Sequence, residues 1–437
     1  MGINTWAMNK MGLYVVKDPR DRSLLPTNFA EEPIIYIWLS SIKRYFDLLN
    51  EERRKNNMTQ LLTVGVIGKS LKENEKRVAI HPEHIKRIPQ RLRKQITFEE
   101  GYGLIFGMDD NTLAKLTSGR VASREEILKG FNCVLIPKPL VEDLSQVRAG
   151  AIVWGWPHCV QQKEMTQISI ERKLTLIAWE EMFTWSRTGD KNMHIFYKNN
   201  EIAGYASVNH AISLIGVVGN YGKPRKAVVL SFGSVSRGAI YALHGQGSRD
   251  ITVYTCRAST NVSDQLPAIS FKQMKKDGSG NLLAVESDGS TRPFSEVLSD
   301  AQIIVNGTLQ DIEHPIMFVP EDEADKLMKG TLIIDISCDE GMGFWCAKPT
   351  SFEHPIFEVA SKFYYSVDHS PSYYWNSASW EISEALLPFL PIVIGGPNKW
   401  EKNKTISKAI EIRNGVIQNP KILSFQNREK EYPHQFR

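Results

Sequence analysis

Lys226-Ala-Val-Val-Leu-Ser-Phe-Gly233-Ser-Val-Ser-Arg-Gly238-Ala239, followed by Asp250-Ile-Thr-Val-Tyr-Thr-Cys-Arg257-Ala-Ser259, decides the fold. Ala227 to Leu230 is a short apolar run that fits a buried parallel strand. After a turn of small residues, Ala239, Ile240, Ala242 and Leu243 form the apolar face of a helix that ends near Gly245 and Gly247. Ile251 to Tyr254 is a second apolar run. Strand, tight turn, helix and strand within about thirty residues make the first unit of a dinucleotide-binding domain. The free amides and positive dipole end of such a helix suit a pyrophosphate.

Gly233 and Gly238 are present, but Ser231 and Ser236 stand where a first and a third glycine usually sit. An ordinary strand-to-helix turn in a parallel sheet would read the same way. After the second strand, Thr255-Cys-Arg257-Ala-Ser259-Thr260 lacks the carboxylate that an NAD site uses on the ribose 2′-hydroxyl. It offers a guanidinium and hydroxyls instead, which suit a 2′-phosphate, although Arg257 also reads as a solvated loop charge. The expected cofactor is NADP(H). Its expected contacts are Gly233, Ser234, Val235, Ser236, Gly238, Arg257 and Ser259, with Asn306 at the close of a later strand.

A chain of 437 residues is too long for one core, so two domains are expected. Its 42% hydrophobic and 23% charged content is that of a soluble globular protein. A formal charge of +4, with no long basic run, gives no reason to invoke nucleic acid. No apolar segment reaches the roughly 18 residues of a membrane span, and the N-terminus lacks a signal pattern. The five cysteines form no CxxC pair, so neither a disulfide framework nor a metal site is expected. A cytoplasmic setting is expected.

Residues 1–60 read as an extension with a helix from Ile34 to about Asn57, suited to a subunit contact or to covering the next domain; a homo-oligomer is expected. Thr63–Ile67, Ile96–Glu100, Val134–Ile136, Ala151–Trp156 and Leu174–Trp179 read as strands alternating with helices, an open parallel sheet. A long helix from Asn200 to about Val218 leads into the nucleotide domain, where Ile303–Asn306 and Leu332–Ile336 are further strands. Ala378 to Leu387 reads as a helix, and Lys402 to Arg413 as a helix-like stretch. The expected architecture is α/β: two doubly wound, mostly parallel-sheet, Rossmann-like domains with a cleft between them. Residues 61–199 and 366–437 form the substrate domain, and 200–365 the nucleotide domain.

In open sheets, ligands sit at the carboxyl ends of strands, and Arg77, Lys138 and His158 all fall past such ends. Arginine grips a carboxylate in a fork, lysine holds the same carboxylate or polarises a keto oxygen, and histidine passes a proton. Each alone has a plain reading, as a surface charge, a solvated lysine or a hydrogen-bonded core histidine.

Glu73-Asn-Glu-Lys-Arg77-Val-Ala resembles the opening motif of the alanine dehydrogenase and transhydrogenase N-terminal family. Glu99-Glu-Gly-Tyr-Gly103 is similar to its second element. Phe232–Ala239, His158-Cys159 and Asp335-Ile-Ser-Cys-Asp339 look closer to the lysine-forming saccharopine dehydrogenases. With Trp179–Phe183, Asn200–Gly204 and Val367-Asp-His-Ser-Pro-Ser-Tyr373 through Ser383, the chain most resembles the N5-(carboxyethyl)ornithine synthases over about residues 62–395. The resemblance implies condensation of a 2-oxo acid, pyruvate, with an amino-acid amine and reduction of the imine by NADPH. It implies Arg77 and Lys138 as holders of the oxo acid, His158 as the catalytic histidine, Asp339 as an acid beside the nicotinamide, and His369, Ser370 and Pro371 as a loop against the cofactor. Lys138 and Asp339 thereby join His158 as catalytic candidates. Asp368-His-Ser-Pro departs from the Asp-Asn-x-Pro usual in alanine dehydrogenases, which argues against plain NAD-dependent alanine oxidation. Glu180, Glu181 and Tyr205 are candidates for holding the amine, though hydrogen bonding at the hinge between domains is the favoured reading of all three. Alanine dehydrogenase or saccharopine dehydrogenase activity, or a non-catalytic nucleotide-binding redox sensor, are the alternatives.

Overall fold

The computed structural model describes residues 61–257, 266–278, 282–310 and 315–437. The expected extension 1–60 and Ser259 lie outside the described residues.

Two sheets organise the described chain. The first runs, in spatial order, Val416–Ile417, Ile410–Arg413, Thr175–Ala178, Ile152–Gly155, Cys133–Leu135, Val64–Val66, Ile96–Glu99, Val121–Ala122. The second runs Thr291–Pro293, Leu282–Val285, Ser270–Lys276, Asp250–Thr255, Lys226–Leu230, Ile303–Asn306, Leu332–Asp335, Lys362–Tyr365, Ile356–Val359. Within each, six strands are parallel and occur in the order third, second, first, fourth, fifth, sixth. That is the doubly wound dinucleotide-fold order, whose ligand crevice opens where the order reverses. The reversal falls beside Val64–Val66 in the first sheet and beside Lys226–Leu230 in the second. The central strands Cys133–Leu135, Ile152–Gly155, Ile303–Asn306 and Leu332–Asp335 are buried along their length, as strands covered on both faces must be.

The helix Tyr197–Leu214 leads into the second lobe and packs there. Val208, Ala211 and Ile212 share a core with Ala227, Val229 and Ile251. It crosses the helix Ser234–Gly245 very closely. A Cβ on Gly238 would lie 1.7 Å from the Glu201 carbonyl oxygen, and one on Gly204 1.9 Å from that of Val235. These two glycines let the helix backbones touch.

The expected helix-like stretch Lys402–Arg413 is corrected. Only Lys404–Lys408 is helical, and Ile410–Arg413 is a strand that adds antiparallel to Thr175–Ala178. The alternation Ile410-Glu-Ile412 is a strand period. An otherwise open edge of the parallel sheet supplies the partner that a helix reading overlooked. Ile412, Ile417 and Ile422 thereby enter the first lobe's core with Val134, Val153 and Leu176.

Residues 75–87 meet residues 372–384 along one seam. Gly68 and Lys69 donate their amides to the Glu99 carboxylate at 2.8 and 3.1 Å, which turns the chain after the first strand toward residues 368–384. There the Val78 amide donates to Ser379 Oγ (3.0 Å), Ser372 Oγ donates to Glu75 Oε1 (2.9 Å), and His84 Nδ1 meets Ser383 Oγ (2.9 Å). Arg87 pairs with Glu384 across the same seam. No helix among the described residues is long and apolar enough to cross a membrane.

Candidate active site

Three adjacent strands, Cys133–Leu135, Ile152–Gly155 and Thr175–Ala178, end side by side, so the residues just beyond them meet. Lys138 Nζ lies 2.8 Å from His158 Nε2. An ammonium only donates, so Nε2 is the acceptor and the imidazole is neutral with its proton on Nδ1. Desolvation in the cleft, followed by the Lys138 charge, pushes His158 well below its ordinary value, and Asp368 opposes this. Desolvation also lowers Lys138, to about 8, again against Asp368. Lys138 is therefore mostly charged at pH 7.

His158 occupies the left-handed region at φ 49°, a costly conformation for a residue with a Cβ. Glu180 Oε1 accepts the His158 backbone N–H at 2.6 Å. The same oxygen is 3.7 Å from His158 Nδ1, beyond hydrogen-bond length. Burial, then the neighbouring Glu411, raises the Glu180 carboxyl well above its usual range. The half-buried Glu180 thus holds the histidine turn through its bond to the His158 amide. Glu181 pairs with Lys191 at 3.0 Å, and the exposed Tyr205 ring packs on Tyr374.

Arg77 reaches this row from the seam. Its guanidinium carbon is 5.1 Å, and Lys138 Nζ 5.9 Å, from the centre of the Trp156 ring, so one indole sits against both cations. Arg77 is 3% exposed. It donates from Nε to Glu75 Oε1 (2.8 Å), from one terminal nitrogen to Glu75 Oε2 (2.5 Å), and from the other to Asn199 Oδ1 (3.1 Å). That uses three of its five N–H groups and leaves one on each terminal nitrogen.

The carboxylate that bears on Lys138 and His158 is that of Asp368. It also pairs with Lys72. His369 follows at φ 44°, with Nε2 2.9 Å from the Glu73 carbonyl oxygen, so its ring bridges the seam. Asp339 lies half-buried after Leu332–Asp335, where burial raises its carboxyl, and its charge acts on Asp335 to raise that group too. Sequence reasoning missed Asp368, Lys72, Glu75 and Trp156 as parts of this cluster. The available signal was position: each is within a few residues of a candidate already singled out.

At the glycine turn the two substitutions are accommodated differently. Ser231 takes φ 76°, the conformation a glycine would adopt without cost. Ser236 is fully buried, and its hydroxyl donates to the Leu230 carbonyl at 3.1 Å, so a polar atom at the helix–strand contact is satisfied. A Cβ on Gly233 would meet nothing within 4 Å, which leaves the mouth of the turn open beside the first-turn residues Ser234 and Val235. Arg257 curls back to donate to the Phe232 carbonyl at 2.9 Å, placing its guanidinium at that mouth. Arg237, missed in the sequence, lies over the Phe232 ring at 4.2 Å. Thr308 Oγ1 is buried with no partner. Asn306 is spent internally, donating to Asp335 Oδ1 (2.9 Å) and accepting the Thr308 amide (3.0 Å), so its side chain shapes the strand ends. The open turn, a guanidinium and an orphaned hydroxyl fit a nicotinamide dinucleotide. Among the described residues no group of three or more His, Cys, Asp or Glu side chains could hold a metal ion.

Comparison with known proteins agrees with this fold. The alanine dehydrogenase/PNT N-terminal domain description matches residues 66–203, and the C-terminal domain description matches 205–420. The chain is 28% identical over 324 residues to N(5)-(carboxyethyl)ornithine synthase of Clostridium botulinum, covering 71% of this chain and 89% of that one. It is 26% identical to the Lactococcus lactis protein of the same name, at 71% and 90% coverage. Alanine dehydrogenase of Mycobacterium tuberculosis is 20% identical over 81% of this chain and 94% of its own. Among solved structures, an L-alanine dehydrogenase superposes with TM-score 0.66 at 18% identity, covering 83% of this chain and 98% of that chain. A transhydrogenase from Sinorhizobium meliloti gives 0.61 at 18%, covering 82% and 99%. With both domain descriptions matched in order across most of its length and the doubly wound order in both sheets, the chain belongs to the alanine dehydrogenase/PNT family.

Proposed function

We propose that this protein is an NADPH-dependent reductase that joins a 2-oxo acid, pyruvate, to the side-chain amine of an amino acid such as ornithine or lysine, giving an N-(carboxyethyl) amino acid. Family membership carries the coarser part, a nicotinamide-dependent oxidoreductase acting on amino-acid CH–NH groups. The observation that carries the finer part is the Lys138 ammonium held 2.8 Å from a neutral His158, beside an indole that both Lys138 and Arg77 share.

The two remaining N–H groups of Arg77 grip the oxo-acid carboxylate. Lys138 polarises the keto oxygen. Once the Lys138 ammonium turns to the keto oxygen, His158 Nε2 takes one proton from the amine as the C–N bond forms and passes it to that oxygen, then takes the second N–H proton and delivers it to the carbinolamine hydroxyl, which departs as water to leave the imine. Asp368 keeps Lys138 charged through this sequence. NADPH, when bound, would supply a hydride to the imine carbon, and the imine nitrogen would take its proton from the Lys138 ammonium. Ser234, Val235 and the open turn at Gly233 would cradle its pyrophosphate, and Arg257 would hold the 2′-phosphate.

Following NADPH absorbance with pyruvate plus ornithine, lysine or ammonia tests the reading. Turnover with a diamino acid is expected. Turnover with ammonia alone would make this an alanine dehydrogenase, and a preference for 2-oxoglutarate with lysine a saccharopine dehydrogenase. Arg257→Ala is expected to weaken NADPH binding by about 1–3 kcal/mol, as for a hydrogen bond to a charged group, and to leave NADH binding unchanged. An unaltered preference would place the phosphate elsewhere.

A further inference from the structure

We infer that Gln426 is a positioning residue for the reaction proposed above: its buried amide fixes the turn His158–Val160 and, through it, the imidazole. The inference rests on the role given to His158. Gln426 is 1% exposed and ends the helix Pro420–Gln426, beyond the residues matched by the family description. Its Nε2 donates to the Cys159 carbonyl at 2.6 Å, lies 3.3 Å from that of Val160 and 3.1 Å from Thr166 Oγ1. Thr166 Oγ1 in turn donates to the Cys159 carbonyl at 2.9 Å.

The amide cannot be turned around. Arg428 Nε donates to Gln426 Oε1 at 2.7 Å, and a guanidinium has no acceptor, so the oxygen must face Arg428 and the nitrogen must face the turn. Arg428 is itself fixed by bonds to Gln167 Oε1 (2.9 Å) and the His434 carbonyl (3.1 Å). Such a brace answers a need of the turn. His158 sits at φ 49°, a conformation that persists in a non-glycine residue only when its surroundings over-determine it. Glu180 holds the His158 amide from one direction, and Gln426 holds the next two carbonyls from another.

Gln426→Glu tests this in the full-length protein. The variant keeps the size and the Arg428 contact, but a carboxylate cannot donate to the carbonyls. With saturating NADPH, pyruvate and diamino acid, kcat is expected to fall on the order of tenfold, as for a misplaced acid–base group, with the KM for pyruvate and the binding of NADPH unchanged. The His158 imidazole, followed by NMR, is expected to titrate closer to its ordinary value as the loosened turn admits water. Lys138, Lys72, Arg77, Asp368 and Glu180, the other groups around it, are untouched. A lowered Tm with unmoved titration and kcat would overturn the inference and leave Gln426 a structural brace. Should Gln426→Glu fail to fold, Thr166→Val removes one link of the same brace and is expected to move the titration in the same direction; no movement would overturn the inference. The NMR readout needs no substrate, so it decides the matter even if pyruvate and diamino acids prove not to react.

Discussion

His158→Ala is expected to lower kcat by about 10²–10⁴-fold, the range for loss of a positioned general acid–base group, while NADPH binding stays as in the parent. The pH profile gives a second readout. Charging His158 is disfavoured by desolvation and by Lys138, so the acid limb of the parent profile is expected below the ordinary histidine value of about 6.5. The alkaline limb is set by Lys138 losing its proton near 8. The variant is expected to lose the acid limb and keep the alkaline one. Full turnover in a folded His158→Ala protein would remove the histidine from the chemistry.

The largest effect on stability is expected at Arg77. Arg77→Met leaves Glu75, whose side chain is fully buried, without its guanidinium. Breaking a buried pair by removing one partner costs about 3–5 kcal/mol. Burial alone would raise the Glu75 carboxyl, but Arg77 outweighs it and holds the group at about 2, below the unfolded value of 4.5. The folded parent therefore has this stabilisation above about pH 4.5 and loses it as the pH falls toward 2. In the variant only the Ser372 hydroxyl, the residue-77 amide and His369 still oppose burial, so the folded value is expected to rise above the unfolded one, and acidification then stabilises. The gap between parent and variant is thus expected to be widest at pH 7 and to narrow by pH 5 in urea melts. An equal gap at both values would show that lost packing, not the carboxylate, carries the effect. The KM for the oxo acid is expected to rise in the same variant.

Much of the fold was legible because parallel strands buried on both faces are apolar runs closed by glycine, proline or charge, as at Cys133–Ile136 and Lys226–Leu230. Lys138 and His158 were legible for the same reason, since a residue just past such a run lies on the crevice side of the sheet. Residues 402–413 were misread because a four-residue strand depends on the edge it pairs with, and that edge is Thr175–Ala178, more than two hundred residues earlier. Asp368 was passed over in favour of His369 because the contact that draws it to Lys72 and Lys138 joins residues far apart in the chain and has no local period. Ser231 looked like a defect in a glycine pattern, and only its φ shows that it stands in the glycine conformation.

The sequence by itself determined the strand runs, the two doubly wound lobes and the identity of the cations that face the crevice, because all of these follow from short-range apolar periodicity and from what ends each run. The tertiary structure alone decided which acid accompanies Lys138, that Glu75 occupies one side of the Arg77 fork, and that the C-terminal tail reaches the histidine turn. Those contacts join residues far apart in the chain, and burial and donor geometry at the meeting point select them.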